Sequence, residues 1–212
     1  MEAELRYYYE LDKYDKLITI LKKFDTLEYE GCFYEMTIQY DHPMQENSFY
    51  KKEIDGRFRV RCSKNINTEE SKSKISWKRR TKNTFSELVN KEEEVELDIK
   101  FEQLDSLVFL LEDVIKMKSV ESYERYRNVF SNGDIEIVVD KYPFGVALEV
   151  ENKSKSKVPE ETVLFWLEQL ELKPENAYRL SWDDKYTELC RQQNIESYKH
   201  VRFGLPMPKV ME

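Results

Sequence analysis

Hydrophobic and polar positions alternate with two different periods along this chain. Residues 2–9, EAELRYYY, alternate and are aromatic, which predicts a strand. Asp12 then precedes a helical pattern in which Leu17, Leu21 and Phe24 recur at i, i+4 and i+7, with Ile20 beside them. Period two returns in CFYEMTIQY at 32–40, SFYKKEI at 48–54 and RFRVRCS at 57–63, and Asp55-Gly56 between the last two predicts a hairpin. KISWKRRT at 74–81 and EEVELDIKF at 93–101 alternate as well. Residues 102–117 return to a helix, with Leu104, Leu107, Val108, Leu111 and Ile115 on one face. Strands follow at 122–130, 134–140 and 146–151, with Asn132-Gly133 as a turn. Val158-Pro159 opens a third helix whose Val163, Trp166, Leu167 and Leu170 face inward, and a fourth runs from about 183 to 193. The tail FGLPMPKVME is predicted to lie extended on the body. The segments 64–74 and 152–157, rich in Lys, Ser and Asn, are predicted to be disordered. Many short strands interrupted by a few helices suggest an antiparallel barrel or curved sheet with helices outside.

The polar faces of these strands are charged, mostly with one sign per strand. Glu2, Glu4 and Arg6 share a face, opposite Ala3, Leu5 and Tyr7. Arg57, Arg59 and Arg61 share another, as do Lys78 with Arg80, Arg125 with Arg127, Glu94 with Glu96, and Glu149 with Glu151. Two geometries fit. The charged faces point to solvent, or the sheet curls and they line its interior while the apolar faces lie beneath the helices. Repetition over six strands, with three apolar helix faces needing cover, favours the second. Such an interior becomes sensible when it holds water, a polyanion and a cation bridging the anion to the carboxylates.

Composition narrows the chemistry. The 212 residues suffice for one domain without disulfide or metal staples. There are two histidines, three cysteines and five glycines. Few His and Cys disfavour zinc, copper and haem. Few Gly disfavours a backbone phosphate cradle, and neither GxxxxGKS/T nor GxGxxG occurs. Phosphate would have to be held by Lys and Arg, and a metal by carboxylate oxygens, which points to Mg²⁺, Mn²⁺ or Ca²⁺. The net charge of −8 argues against duplex nucleic acid. The opening MEAELRYYYE lacks the pattern of a signal peptide and no stretch approaches a membrane span, so the expected location is cytoplasmic.

The ordered motifs resemble the CYTH superfamily, the triphosphate tunnel metalloenzymes. Glu2-Ala3-Glu4-Leu5-Arg6 stands where the family has ExExK. Gln39-Tyr40-Asp41, Phe58-Arg59-Val60-Arg61, Trp77-Lys78, Glu94-Val95-Glu96 and Arg125-Tyr126-Arg127 follow in family order. Asp140, Pro143, Gly145, Glu149 and Glu151 complete D-x-x-P-x-G-x-x-x-E-x-E. The departures are Arg for Lys at 6 and 125, and Arg6 cannot serve as a titratable base.

The resemblance spans residues 2 to about 190 and implies an α+β fold: a closed eight-stranded antiparallel β-barrel forming a tunnel, with helices packed outside. It implies one domain over 1–212, with a helix and tail from about 183 packing on the barrel. It further implies Mg²⁺ or Mn²⁺ and a small triphosphate substrate, without duplex nucleic acid or membrane, in a monomer or homodimer. Glu4, Arg6, Glu149 and Glu151 are then the catalytic candidates. Arg6, Arg59, Arg61, Lys78, Arg80, Arg125, Arg127 and Lys185 would hold the triphosphate. Glu2, Glu4, Glu94, Glu96, Asp140, Glu149 and Glu151 would be the metal candidates, with an even alternative for Asp140 as a turn residue. Arg57 and Arg79 are read as surface cations, and Asp41 and His42 as turn residues. A triphosphate hydrolase is the first expectation. A cyclase making cyclic AMP and pyrophosphate from ATP is the second, and a non-catalytic polyphosphate or nucleotide binder the third.

Overall fold

The structure, a computed structural model, describes residues 2–80, 90–155 and 158–211; the side chains at 2, 80 and 90–92 lie outside the description. Eight antiparallel strands carry the alternation: β1 (Glu2–Tyr9), β2 (Glu28–Asp41), β3 (Gly56–Asn65), β4 (Ser71–Arg80), β5 (Asn90–Ile99), β6 (Lys118–Ser131), β7 (Ile135–Tyr142) and β8 (Gly145–Asn152). Their ladder order is β2-β3-β4-β5-β1-β8-β7-β6, and β6 pairs back onto β2 from Glu28 to Asp41. The short β9 (His200–Val201) adds in parallel to β6.

The sheet is a curled half-barrel and not the evenly closed barrel that the sequence suggested. Among the described residues the thin seam lies between β1 and β5, where Glu2, Ala3 and Glu4 find partners. The β1–β5 register runs, among the described residues, from Glu2 opposite Glu92 to Glu4 opposite Asn90. Beyond the seam, the Tyr178 N–H donates to the Arg6 carbonyl at 2.7 Å.

The apolar faces point outward beneath the helices. Ala3, Leu5 and Tyr7 of β1 join Ile135, Ile137, Val139, Val146, Leu148 and Val150 in the main core. Helices α1 (Tyr14–Leu21) and α3 (Pro159–Gln169) cover it through Leu21, Val163, Trp166 and Leu167. Each such side chain contributes about 1.5–3 kcal/mol on burial. Helix α2 (Leu104–Phe109) packs Leu104, Leu107 and the following Leu111 over Tyr40 and Val60. Helix α4 (Trp182–Gln193) sets Trp182, Tyr186 and Leu189 against Tyr123, Tyr142 and Phe144, and the tail adds Met207. Its first turn is fixed by Asp184, whose carboxylate accepts from the Ser181 backbone N–H and hydroxyl.

Three sequence expectations fail for local reasons. Residues 48–54 are turns, not a strand. The Asp41 carboxylate accepts from the backbone N–H groups of His42 and Phe49 and from the Ser48 hydroxyl, each at 2.8 Å, which ties the chain into a loop. The segment after Asn65 is a tight hairpin, because the Asn65 side chain accepts from the N–H groups of Asn67 and Thr68. The predicted helix 102–117 ends in a π turn over Leu110–Val114, with the Ile115 N–H donating to the Leu110 carbonyl. That wider turn rotates Ile115 off the apolar face and leaves it exposed. Of the predicted second disordered segment, residues 156–157 lie outside the described residues.

Candidate active site

Residues of all eight strands line a single cavity of about 560 Å³ within the curl, β7 contributing Glu136 and Tyr142. β1 supplies Glu4 and Arg6; β3 supplies Arg57, Arg59 and Arg61; β4 and β5 supply Lys78 and Glu94. β6 supplies Tyr123, Arg125 and Arg127, β8 supplies Glu149 and Glu151, and β2 supplies Glu35 and Gln39.

One wall is acidic. Register pairs Glu4 with Glu151 and Arg6 with Glu149 across β1 and β8, so ExR on one strand faces ExE on the other. Oxygens of Glu4, Glu149 and Glu151 lie within 4.8 Å of one another, and all three residues are buried. Cations hold each in place. Arg6 donates to Glu149 from Nε at 2.9 Å and sits 2.8 Å away through its terminal nitrogen. Lys78 reaches Glu4 at 3.1 Å, and Lys153 reaches Glu151 at 2.7 Å. The two glutamates nearest the seam differ electrostatically. Burial raises the pKa of Glu4; Lys78 opposes this and the Glu149 carboxylate adds to it. Burial also penalises ionised Glu149, but Arg6, Arg127 and Lys78 outweigh it and hold the group well below the usual carboxylate range. Three convergent hard oxygens suit Mg²⁺ or Mn²⁺, which take carboxylate ligands and retain waters.

The facing walls are basic. Arg59 donates to Glu94 at 2.8 Å, and Arg61 lies 3.8 Å from Glu35. Arg125 and Arg127 are locked from behind. Asp140, fully buried, accepts from Arg125 at 2.9 Å and from both Nε and a terminal nitrogen of Arg127 at 2.8 and 2.7 Å. Glu35 accepts from Arg125 at 2.7 Å and from Ser63 at 2.6 Å. Burial pushes the Glu35 pKa up, yet Arg125, Arg61 and Arg127 bring it far below the ordinary value. Tyr123, 2% exposed, is pulled down to about 8: burial opposes ionisation, but Arg125, Arg61 and Arg59 prevail. These fixed donors can grip several phosphate oxygens, with Arg providing planar forks and Lys a point charge.

The structure sorts the sequence candidates. Glu4, Arg6, Arg59, Arg61, Lys78, Arg125, Arg127, Glu149 and Glu151 come together in the cavity. Asp140 is not grouped with the carboxylate triad; both its oxygens are committed to the two arginines it orients. Glu94 lines the cavity but pairs with Arg59 and lies 3.6 Å from Lys78. Glu96 pairs with Lys74 at 2.8 Å near the rim. The Lys185 ammonium sits over the Tyr178 and Tyr8 rings and 3.8 Å from Glu188, not among the lining residues. The side chains of Glu2 and Arg80 lie outside the described residues. Arg57 corrects the surface reading: it lines the cavity because it shares the face of Arg59 and Arg61. Arg79 is half exposed and pairs with Glu93 at 2.7 Å, but it too is among the residues that line the cavity. Sequence reasoning missed Glu35, Tyr123 and Gln39. The available signal was that Glu35, Thr37 and Gln39 form a polar face within an otherwise aromatic strand.

No family model matches the chain, and no curated protein matches it. Solved structures do. A Pyrococcus horikoshii OT3 protein superposes with a TM-score of 0.63 at 21% identity, covering 89% of this chain and 99% of its own. A Vibrio parahaemolyticus protein named as a candidate adenylate cyclase gives 0.64 at 16% identity, covering 86% and 95%. A Hippeastrum protein, described as a candidate adenylyl cyclase with a dominant triphosphatase activity, gives 0.58 at 16% identity, covering 93% and 98%. At these identities the likeness is one of fold, and it is the fold to which the CYTH resemblance points.

Proposed function

We propose that the protein is a CYTH-type metal-dependent enzyme that hydrolyses a small triphosphate inside its curled sheet, with the sheet acting as a tunnel. The observation that carries this reading is the Glu4–Glu149–Glu151 triad facing Arg59, Arg61, Lys78 and Arg127 within one cavity. The triad would hold Mg²⁺ or Mn²⁺. When bound, such a cation supplies Lewis-acid polarisation of phosphoryl oxygens.

The chain's own residues do the rest. Arg59, Arg61, Arg127 and Lys78 hold the phosphate chain in line and offset the charge that builds on its oxygens during transfer. Arg6 stays charged throughout, fixes Glu149 and reaches toward Glu4 at 3.6 Å. Asp140 and Glu35 keep the arginines aimed without reorganisation, which is where such a site gains most of its rate. The fold shared with proteins named as candidate adenylate cyclases supports the alternative product, cyclic AMP with pyrophosphate.

The test is incubation with Mg²⁺ or Mn²⁺ and, separately, tripolyphosphate, ATP and thiamine triphosphate. Release of orthophosphate, lost in Glu149→Gln, is the expected result. Cyclic AMP with pyrophosphate from ATP would establish the cyclase instead. Binding without either product would leave a sensor.

A further inference from the structure

The end of the cavity beneath α4 differs from the rest. Arg57, Gln39, Leu180, Trp182 and Asp183 line it. Glu121 and Tyr50 stand behind them. Gln39 donates to Glu121 at 2.7 Å, and the Arg57 guanidinium lies over the Tyr50 ring at 4.8 Å. Three polar atoms in this group are buried and unpartnered: the Tyr50 hydroxyl, Arg57 Nε and Asp183 Oδ1. An orphaned buried polar atom costs about 1–3 kcal/mol, so three at one place mark a position built to be completed by another molecule.

The chemistry of that molecule follows from the atoms. Of the lining residues, Asp183 offers an acceptor and Arg57 Nε a donor. Trp182 adds a flat aromatic surface, its ring 4.3 Å from that of Tyr123. A phosphate would be repelled here by Asp183, Asp55 and, once ionised, Glu121. A heteroaromatic ring bearing an amino group fits, because it presents N–H donors beside a ring acceptor on a flat apolar body.

Building on the triphosphate reading, we infer that this mouth recognises the head group of an organic triphosphate, with Asp183 accepting from an amino substituent on its ring. The phosphates then run from Arg57 toward Arg59, Arg61 and the triad. Asp183 Oδ1 is available for this role because Asp184, not Asp183, forms the cap of α4, and the Arg57 guanidinium lies 3.9 Å from the other oxygen, Oδ2.

Titration calorimetry in EDTA tests this without turnover, using ATP, ITP (the amino group replaced by a carbonyl) and tripolyphosphate. The wild type should prefer ATP over ITP by about tenfold, the scale of one well-made polar contact. Asp183→Ala should abolish that preference and leave tripolyphosphate affinity within about twofold, since it removes both acceptor oxygens and no phosphate ligand. Equal affinity of the wild type for ATP and ITP would overturn the inference. So would equal weakening of ATP and tripolyphosphate in Asp183→Ala. Either result leaves the triphosphate reading standing. Failure of all three ligands to bind would remove that reading and the inference with it.

Discussion

At the scale of single residues, position in the curl decides what a carboxyl does. Glu149, Glu35 and Asp140 are buried beside arginines, while Glu121 is buried beside another acid. Burial and the Asp183 carboxylate push Glu121 up to about 7, against the weaker pull of Arg57 and of the Gln39 hydrogen bond. The sign of the consequence is fixed by linkage. Between the ordinary value of 4.5 and about 7, the folded protein keeps a proton that the unfolded chain has released. Stability therefore falls as pH rises through that window and is fully reduced above it. Glu121→Gln removes the ionisation and can still accept from Gln39. The variant should gain on the order of 1–3 kcal/mol over the wild type at pH 8 and much less at pH 5. Urea midpoints at the two pH values measure this, and an equal gain at both would show that Glu121 does not titrate in this range. The inward placement of Glu4, Arg59 and Glu149 was legible because each stands in an alternating charged pair. The role of Asp140 was not: a sequence shows an acid before Pro143, but only the fold brings two guanidiniums to its oxygens.

At the scale of elements, alternation located all eight long strands, because a strand with one charged and one apolar face has an unmistakable period. The start at Glu28 of β2 was read too late, and the false strand at 48–54 shows the limit. Its alternation is real, but the Asp41 carboxylate captures the backbone groups that a ladder would use. Asp55-Gly56 looked like a hairpin turn, and its glycine serves another purpose. A Cβ at Gly56 would overlap the indole of Trp77, so the residue is small to admit that ring. Trp77 is itself held edge-on to Phe49 at 4.9 Å. A rigid indole cannot yield as a flexible side chain would. Gly56→Ala should therefore cost about 1–3 kcal/mol as overpacking, read as a lower thermal midpoint, and Gly56→Ala combined with Trp77→Leu should recover part of it. No recovery would place the cost in the backbone.

At the scale of the whole molecule, a net charge of −8 conceals a cavity whose walls divide into basic strands and one acidic pair of strands. The inward direction of those faces was legible from their repetition; the incomplete closure was not, because alternation tells which side chains share a face and not how the ladder closes. The thin seam gives ligand binding a mechanical consequence. Glu4 and Arg6 lie on β1 at one side, and Lys78 and Glu94 on β4 and β5 at the other, joined across it by the 3.1 Å contact between Lys78 and Glu4. A polyanion gripped by Lys78 and Arg59, together with a cation held by Glu4, Glu149 and Glu151, would tie both sides. Each ligand alone meets an opposing charge: the anion meets the triad, and the cation meets Lys78 and Arg6. Together they neutralise one another, so their stabilisation should exceed the sum of the separate effects. Saturation at a hundredfold excess over Kd contributes about 2.7 kcal/mol, or roughly 5–10 °C in Tm for a chain of this size. Melting with Mg²⁺, with tripolyphosphate and with both, at constant ionic strength, measures the coupling. Amide exchange should slow most in β1 and β5, the strands that meet at the seam. Strictly additive shifts would mean that the two ligands do not share this cavity.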